Sequence, residues 1–269
     1  MKSSHTLPPG RAKLVAVIRS AGDVIRIADA SATLKVSRTD AAKTLSRWAK
    51  QGWLRRVGSG AYVAVSLDSL ASDQVLDDPW VLVPTLFSPG YIGGRTAAEH
   101  WDLTEQLFRD IVVLTAQRVR RRVQQHHGAL FALKHIGQEK IFGTKAIWRG
   151  RTRIAVSDVH RTIVDIVDDP ALGGGIQHVA DCLSAYLVRP DRNDATLISY
   201  AARLENGAIF KRLGFLAERS PVGATLTEPC RARLTKGNAK LDPTLKGSRL
   251  ITRWKLIVPE TWAVGQQHD

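Results

Sequence analysis

The sequence predicts a mixed α+β chain in two parts: a small basic N-terminal module of helices closed by a β-hairpin, and a larger mixed α/β region behind it. Three observations predict this. Residues 1–66 hold 12 Lys and Arg against 3 Asp and Glu, whereas residues 67–150 hold 10 against 9. Helical spacing of apolar residues gives way, after Gly52, to two β-prone runs around Gly58-Ser59-Gly60. Further on, apolar runs of strand length alternate with longer amphipathic segments. The chain has 269 residues, of which 44% are hydrophobic, enough to bury a core and to exclude global disorder.

The N-terminal elements follow in order. Residues 11–21 read as a helix with Leu14, Val15, Val17 and Ile18 on its apolar face and Gly22 as its stop. Residues 24–34 read as a second helix, and Val36 leads into a turn. Ser37-Arg38-Thr39-Asp40 has the S-x-x-D pattern of a helix start. In the third helix Ala41, Leu45 and Trp48 share one stripe, while Lys43, Arg47 and Lys50 point away from it. Trp53 to Val57, a Gly-Ser-Gly turn, and Ala61 to Val65 complete a hairpin. Helix, helix, helix, hairpin is the order of a winged helix-turn-helix, whose third helix enters the major groove while the hairpin meets neighbouring backbone.

That reading nominates Ser37, Arg38, Thr39, Lys43, Arg47, Arg55, Arg56 and Ser59 as contacts to double-stranded DNA. Each has a plainer alternative. Arg38 and Thr39 either meet base edges or form a solvated first turn. Lys43 and Arg47 suit phosphate as well as bases. Arg55, Arg56 and Ser59 suit phosphate on the wing, although Arg56 has the option of a local acid. Trp48 and Trp53 read as core, and some winged helices bind protein instead of DNA.

Residues 66–80 turn acidic, which suggests a linker near 66–75, a winged domain over 1–70 and a C-terminal domain over 76–269. A helix or turn leads into Trp80 to Pro84. Residues 91–101 read as strand end, glycine turn and helix, and 109–115 as a buried strand. Arg118, Arg120, Arg121 and Arg122 come next, either a solvated edge or a second phosphate surface, as do Lys236, Lys240, Lys246 and Arg249 near the end. Strands are expected at 129–136, 140–148 and 154–156, then helices at 158–168, 174–188, 194–206 and 207–218, and a final strand at 252–258.

Enzyme chemistry finds little support, and no catalytic residue, cofactor or metal is expected. Asp110 stands alone where a nucleotidyl-transfer site needs a close carboxylate pair. Gly93-Gly94-Arg95 before a helix suits either an anion or a tight turn. Arg161 lies four residues before Asp165, the spacing of an intrahelical ion pair, and Asp158 suits a helix start. His126-His127 lacks partners at ligand spacing and reads as surface. Cys182 and Cys230 suit a reducing cytoplasm, and no apolar run nears the ~18 residues of a membrane span.

Five stretches stand out in order: the module ending GSGAYVAV, then YIGGRTAAEHWDL, VSDVHRTIVDIVDDPALGGG, ISYAARLENGAIFKRLGFLAE and KLDPTLKGSRLITRWKLIVP. Together they span about residues 10–260. In these stretches the chain resembles the AbiEi family, the antitoxin half of AbiE abortive-infection toxin–antitoxin systems. The resemblance implies a bacterial or archaeal transcriptional autorepressor that binds promoter repeats of its own operon. It also implies a type IV antitoxin that counteracts a nucleotidyltransferase-like toxin without a stable complex. The competing class is a nucleic-acid-processing enzyme, a nuclease or nucleotidyltransferase, that the winged domain targets to its substrate.

Overall fold

The computed structural model describes residues 9–65 and 78–263. The linker expected near 66–75 lies outside the described residues. The fold class is the mixed α+β predicted.

The N-terminal module is built from α1 (Pro9–Ser20), β1 (Ile25–Arg26), α2 (Ile27–Leu34), α3 (Arg38–Lys50), β2 (Leu54–Gly58) and β3 (Ala61–Ala64). Leu14, Val17, Ala30, Ala41, Leu45, Trp48 and Tyr62 close one small core. Residues 24–34 are not one helix. Ile25 and Arg26 pair with Tyr62 and Ala61, so the helix begins only at Ile27. The hairpin supplies the partner that draws these two residues into a strand order β1-β3-β2.

Behind the module lies a six-stranded mixed sheet of order β6-β7-β5-β4-β9-β8. Its strands are β4 (Gly90–Ile92), β5 (Asp110–Thr115), β6 (Val123–His126), β7 (Ala129–His135), β8 (Thr144–Arg149) and β9 (Thr152–Ser157). Residues 79–82 form a 3-10 turn that runs into α4 (Val83–Leu86). β6 was not expected: its polar run has no strand pattern of its own and exists by antiparallel pairing with β7. β8 starts at 144, not 140, because Lys140 ends a 3-10 turn and Gly143 takes φ +63°.

The module rests on this sheet. Val24, Val57, Ala61 and Val63 share an apolar cluster with Leu82, Val83, Phe87, Phe131, Ile154 and Val156. The Arg151 N–H (2.8 Å) and the Thr152 hydroxyl (2.9 Å) both donate to the Asp23 carboxylate between α1 and β1.

The other large core joins α5 (Gly94–His100) and α6 (Val159–Asp168) to α7 (Ile176–Leu187), α8 (Asp194–Arg203), α9 (Gly207–Glu218) and α10 (Ala224–Arg231). A three-stranded sheet of β10 (Ala239–Lys240), β11 (Arg249–Ile251) and β12 (Leu256–Val258) closes it, followed by α11 (Glu260–Ala263). α10 was not expected, since Pro229 lies inside it. Residues 252–254 form a 3-10 turn, so the final strand is shorter than 252–258. Buried Arg212 donates to the Val167 (3.0 Å) and Asp168 (2.8 Å) carbonyls and so satisfies the C-terminal end of α6.

α6 also carries a charged knot. The Arg161 Nε donates to Asp165 at 2.8 Å, and the Tyr91 hydroxyl donates to the same carboxylate at 3.0 Å. Both charged side chains are 1% exposed. The ion pair expected from the spacing is therefore present, but it is buried and has a third partner from β4. Burial raises the Asp165 carboxyl above its ordinary range, against the pull of Arg161 and Tyr91.

Candidate nucleic-acid interface

The Ser37 hydroxyl accepts the Asp40 N–H at 3.1 Å and donates to the Asp40 carboxylate at 2.7 Å. Its side chain thus caps α3, satisfying one of the first-turn amides. The same bond holds Asp40 at the helix start, where negative charge suits the macrodipole. Ala41, Leu45 and Trp48 are buried in the module core, which turns the opposite side of α3 outward. Thr39, Lys43, Arg47 and Lys50, spaced i, i+4, i+8 and i+11, form that outward stripe, and all four are exposed. Exposed Asp40, held by Ser37 and three residues before Lys43, is the one acid of α3. Arg38 is exposed beside the cap, and exposed Lys35 ends α2 in the left-handed conformation at φ 53°.

The hairpin differs from a freely projecting wing. A Cβ on Gly58 would meet a Leu86 methyl at 3.4 Å, so the wing leans on α4. Arg56 is exposed, and its Nε donates to the Gly58 carbonyl at 3.1 Å, so the local partner is a carbonyl and not an acid. Arg55 is half-buried next to the β6–β7 turn, where its charge bears on His127. Ser59 is exposed at the tip.

His126 and His127, expected at the surface, are half-buried in this seam. His126 packs edge-on against Phe87 and Phe131. Burial lowers the affinity of both rings for a proton, and Arg55 adds to the effect at His127.

The two other groups of basic residues lie on different sheets. Arg118, Arg120, Arg121 and Arg122 are exposed on the loop between β5 and β6. Arg122 borders a cavity of about 500 Å³ whose acids are already engaged, Asp110 by Arg95 and Asp169 by Lys134. Lys236, Lys240, Lys246 and Arg249 are exposed around the C-terminal sheet, with Arg249 3.6 Å from Glu260.

The features weighed for enzyme chemistry have structural partners. The Gly93 N–H donates to Val112 and the Arg95 N–H to Leu172, so those amides are taken within the fold. Gly94 takes φ +58° in a tight approach to the Leu172 carbonyl, which makes this stretch a packed turn. Asp158 caps α6 through the Arg161 N–H. Among the described residues no group of three or more His, Cys, Asp or Glu is arranged to hold a metal ion. Cys182 and Cys230 are buried, which pushes both thiols up to about 12. No described helix is long and apolar enough to cross a membrane.

Sequence reasoning expected the two strands of the β8–β9 hairpin, at 140–148 and 154–156, but did not single out its charge. Its run TKAIWRGRTR holds four basic residues and no acid, a signal that was open to the same segment-by-segment charge reading.

Comparison with known proteins returns one family and a similar fold. Residues 12–65 match the family model described as "Transcriptional regulator, AbiEi antitoxin". No curated protein matches the sequence. The crystal structure of the RV2827C protein from Mycobacterium tuberculosis is similar to this chain over 94% of this chain and 92% of that one. The TM-score is 0.61 at 14% sequence identity, a likeness of fold.

Proposed function

We propose, from the match of residues 12–65 to the AbiEi antitoxin and transcriptional-regulator model, that this chain is a sequence-specific autorepressor and a type IV antitoxin. It binds double-stranded DNA at promoter repeats of its own operon. The observation that carries the DNA reading is the capped, exposed stripe Thr39, Lys43, Arg47 and Lys50, with Arg38 at its start. A major groove about 12 Å wide admits such a helix. The region behind the module counteracts a nucleotidyltransferase-like toxin without a stable complex, and its exposed arginines and lysines are the surfaces to test for that role.

In this reading Arg38 reads a base. Arg38→Ala is expected to cost about 1–3 kcal/mol at the cognate repeat and to relax sequence preference there. The full-length variant, co-expressed with the toxin and a promoter reporter, loses repression and keeps protection. Equal weakening on cognate and scrambled DNA overturns base reading by Arg38. Loss of protection together with repression means that antitoxicity is only transcriptional. Turnover of nucleic acid by the purified protein favours the enzyme alternative.

The wing supports the helix through phosphate, and exposure ranks its two arginines. Arg56→Ala is expected to make the log–log salt dependence of binding shallower by about one unit, alike for every sequence. Arg55→Ala, at a side chain half-buried beside His127, changes that slope less. Salt titrations by fluorescence anisotropy decide this. An unchanged slope in both variants removes the wing from the interface.

A further inference from the structure

Trp148 is 67% exposed on β8, an outer strand of the six-stranded sheet. Trp48 and Trp254, by contrast, are buried in the two helical cores. Nothing in the packing requires a large indole at this position, since Trp148 belongs to none of the apolar clusters. Its surroundings have a definite chemistry. Cross-strand register sets Trp148 opposite Arg153, which is exposed, and sets Ala146 opposite Ala155 on the same face. The indole is therefore flanked by a guanidinium across the strand pair and by the small side chains of exposed Ala146 and half-buried Ala155, the latter packed against the cluster of Tyr91, Val112 and Leu114. Of the four cations in residues 144–153, Arg153 shares the face of Trp148, whereas Lys145, 5.2 Å from the Trp101 ring, and Arg149 lie on the opposite face and Arg151 turns to the winged module.

The platform is also held still. The Arg151 N–H and the Thr152 hydroxyl donate to Asp23 of the winged module, and the Arg151 guanidinium donates to the Ile18 carbonyl at 3.3 Å. Gly150 at the hairpin tip takes φ +56°, and a Cβ there would meet the Asp23 carboxylate at 2.9 Å. On the opposite face Arg149 lies over the Trp80 ring at 4.7 Å, within 3.9 Å of Asp78. The face that remains open is the one with Trp148 and Arg153.

We infer that the Trp148–Arg153 face of the β8–β9 hairpin is a binding site for single-stranded nucleic acid. An exposed aromatic ring beside a guanidinium suits an unpaired base stacked on the indole with a phosphate on Arg153. Every base has a π-face, so the site is tolerant of sequence. A duplex keeps its base faces inside the stack and offers only its phosphates. This site stands apart from the recognition stripe on α3, and its test separates from that of DNA repression.

The test uses the full chain and a labelled single-stranded oligothymidylate, with fluorescence anisotropy as the readout. Wild type binds it in the presence of an excess of scrambled duplex, and Trp148→Ala weakens binding by roughly 10-fold or more. Trp148→Phe restores part of the loss, because a smaller ring still stacks, and affinity for a duplex carrying the promoter repeat stays unchanged in both variants. Three outcomes overturn the inference. One is single-strand binding that scrambled duplex abolishes, and another is equal binding by wild type and Trp148→Ala. The third is displacement by an acidic polypeptide that itself binds in a Trp148-dependent way, which makes the face a protein-docking surface.

Discussion

Asp165→Ala is expected to destabilise the protein by about 3–5 kcal/mol, read as a lower denaturant midpoint in equilibrium unfolding. The carboxylate is buried and is the acceptor for both Arg161 and Tyr91. Its removal strands a guanidinium that is 1% exposed and whose Nη1 already lacks a hydrogen-bond partner among the described residues. Contact with the Phe142 ring, 4.1 Å from the guanidinium carbon, does not replace an anion. Most of the loss comes from the uncompensated buried charge, so the double variant Arg161→Met/Asp165→Leu recovers a large part of it. A double variant no more stable than Asp165→Ala contradicts this account. Tyr91→Phe keeps the ion pair and costs less than Asp165→Ala.

The second large effect concerns DNA. The full-length variant Lys43→Ala/Arg47→Ala is expected to lose at least about 30-fold in affinity for the cognate repeat, from two contacts worth about 1–3 kcal/mol each. Both side chains are exposed on α3, away from Ala41, Leu45 and Trp48, so the midpoint of unfolding stays at the wild-type value. Gel shifts alongside denaturant curves separate a lost contact from a lost fold. Wild-type affinity in this variant removes the α3 stripe from the interface.

The module was legible in the sequence because its signals are local. Ser37 and Asp40 mark the start of α3, the spacing of Ala41, Leu45 and Trp48 fixes its buried side, and Gly60 at φ +68° fits the hairpin turn. What the sequence hid depends on residues far along the chain. Ile25 and Arg26 become a strand only because Tyr62 and Ala61 lie alongside. The polar run Val123–His126 is a strand only through β7. Arg161 and Asp165 announce their pairing at i, i+4, but Tyr91 reaches them from 70 residues away.

The largest difference between reading and structure lies in the seam. Val57 and Val63 read only as members of the hairpin's two β-prone runs, and His126-His127 as surface. Together with Val24, Ala61 and Phe87 they form the joint between the module and the six-stranded sheet. Periodicity reports that a side is buried without reporting against what. For the interface, charge and helical spacing nominated Lys43 and Arg47, and both side chains are exposed. They gave no ranking of Arg55 against Arg56, which depends on contact with a distant turn.

The winged module is expected to recognise DNA beside the chain's own gene, and a nuclease-protection footprint of the full-length protein on the DNA upstream of that gene decides it. The expected result is discrete protection over a short repeat, at concentrations that leave scrambled DNA of equal length unprotected, and no protection by the Lys43→Ala/Arg47→Ala variant at the same concentration. Uniform protection that does not distinguish the upstream DNA from the scrambled fragment contradicts it.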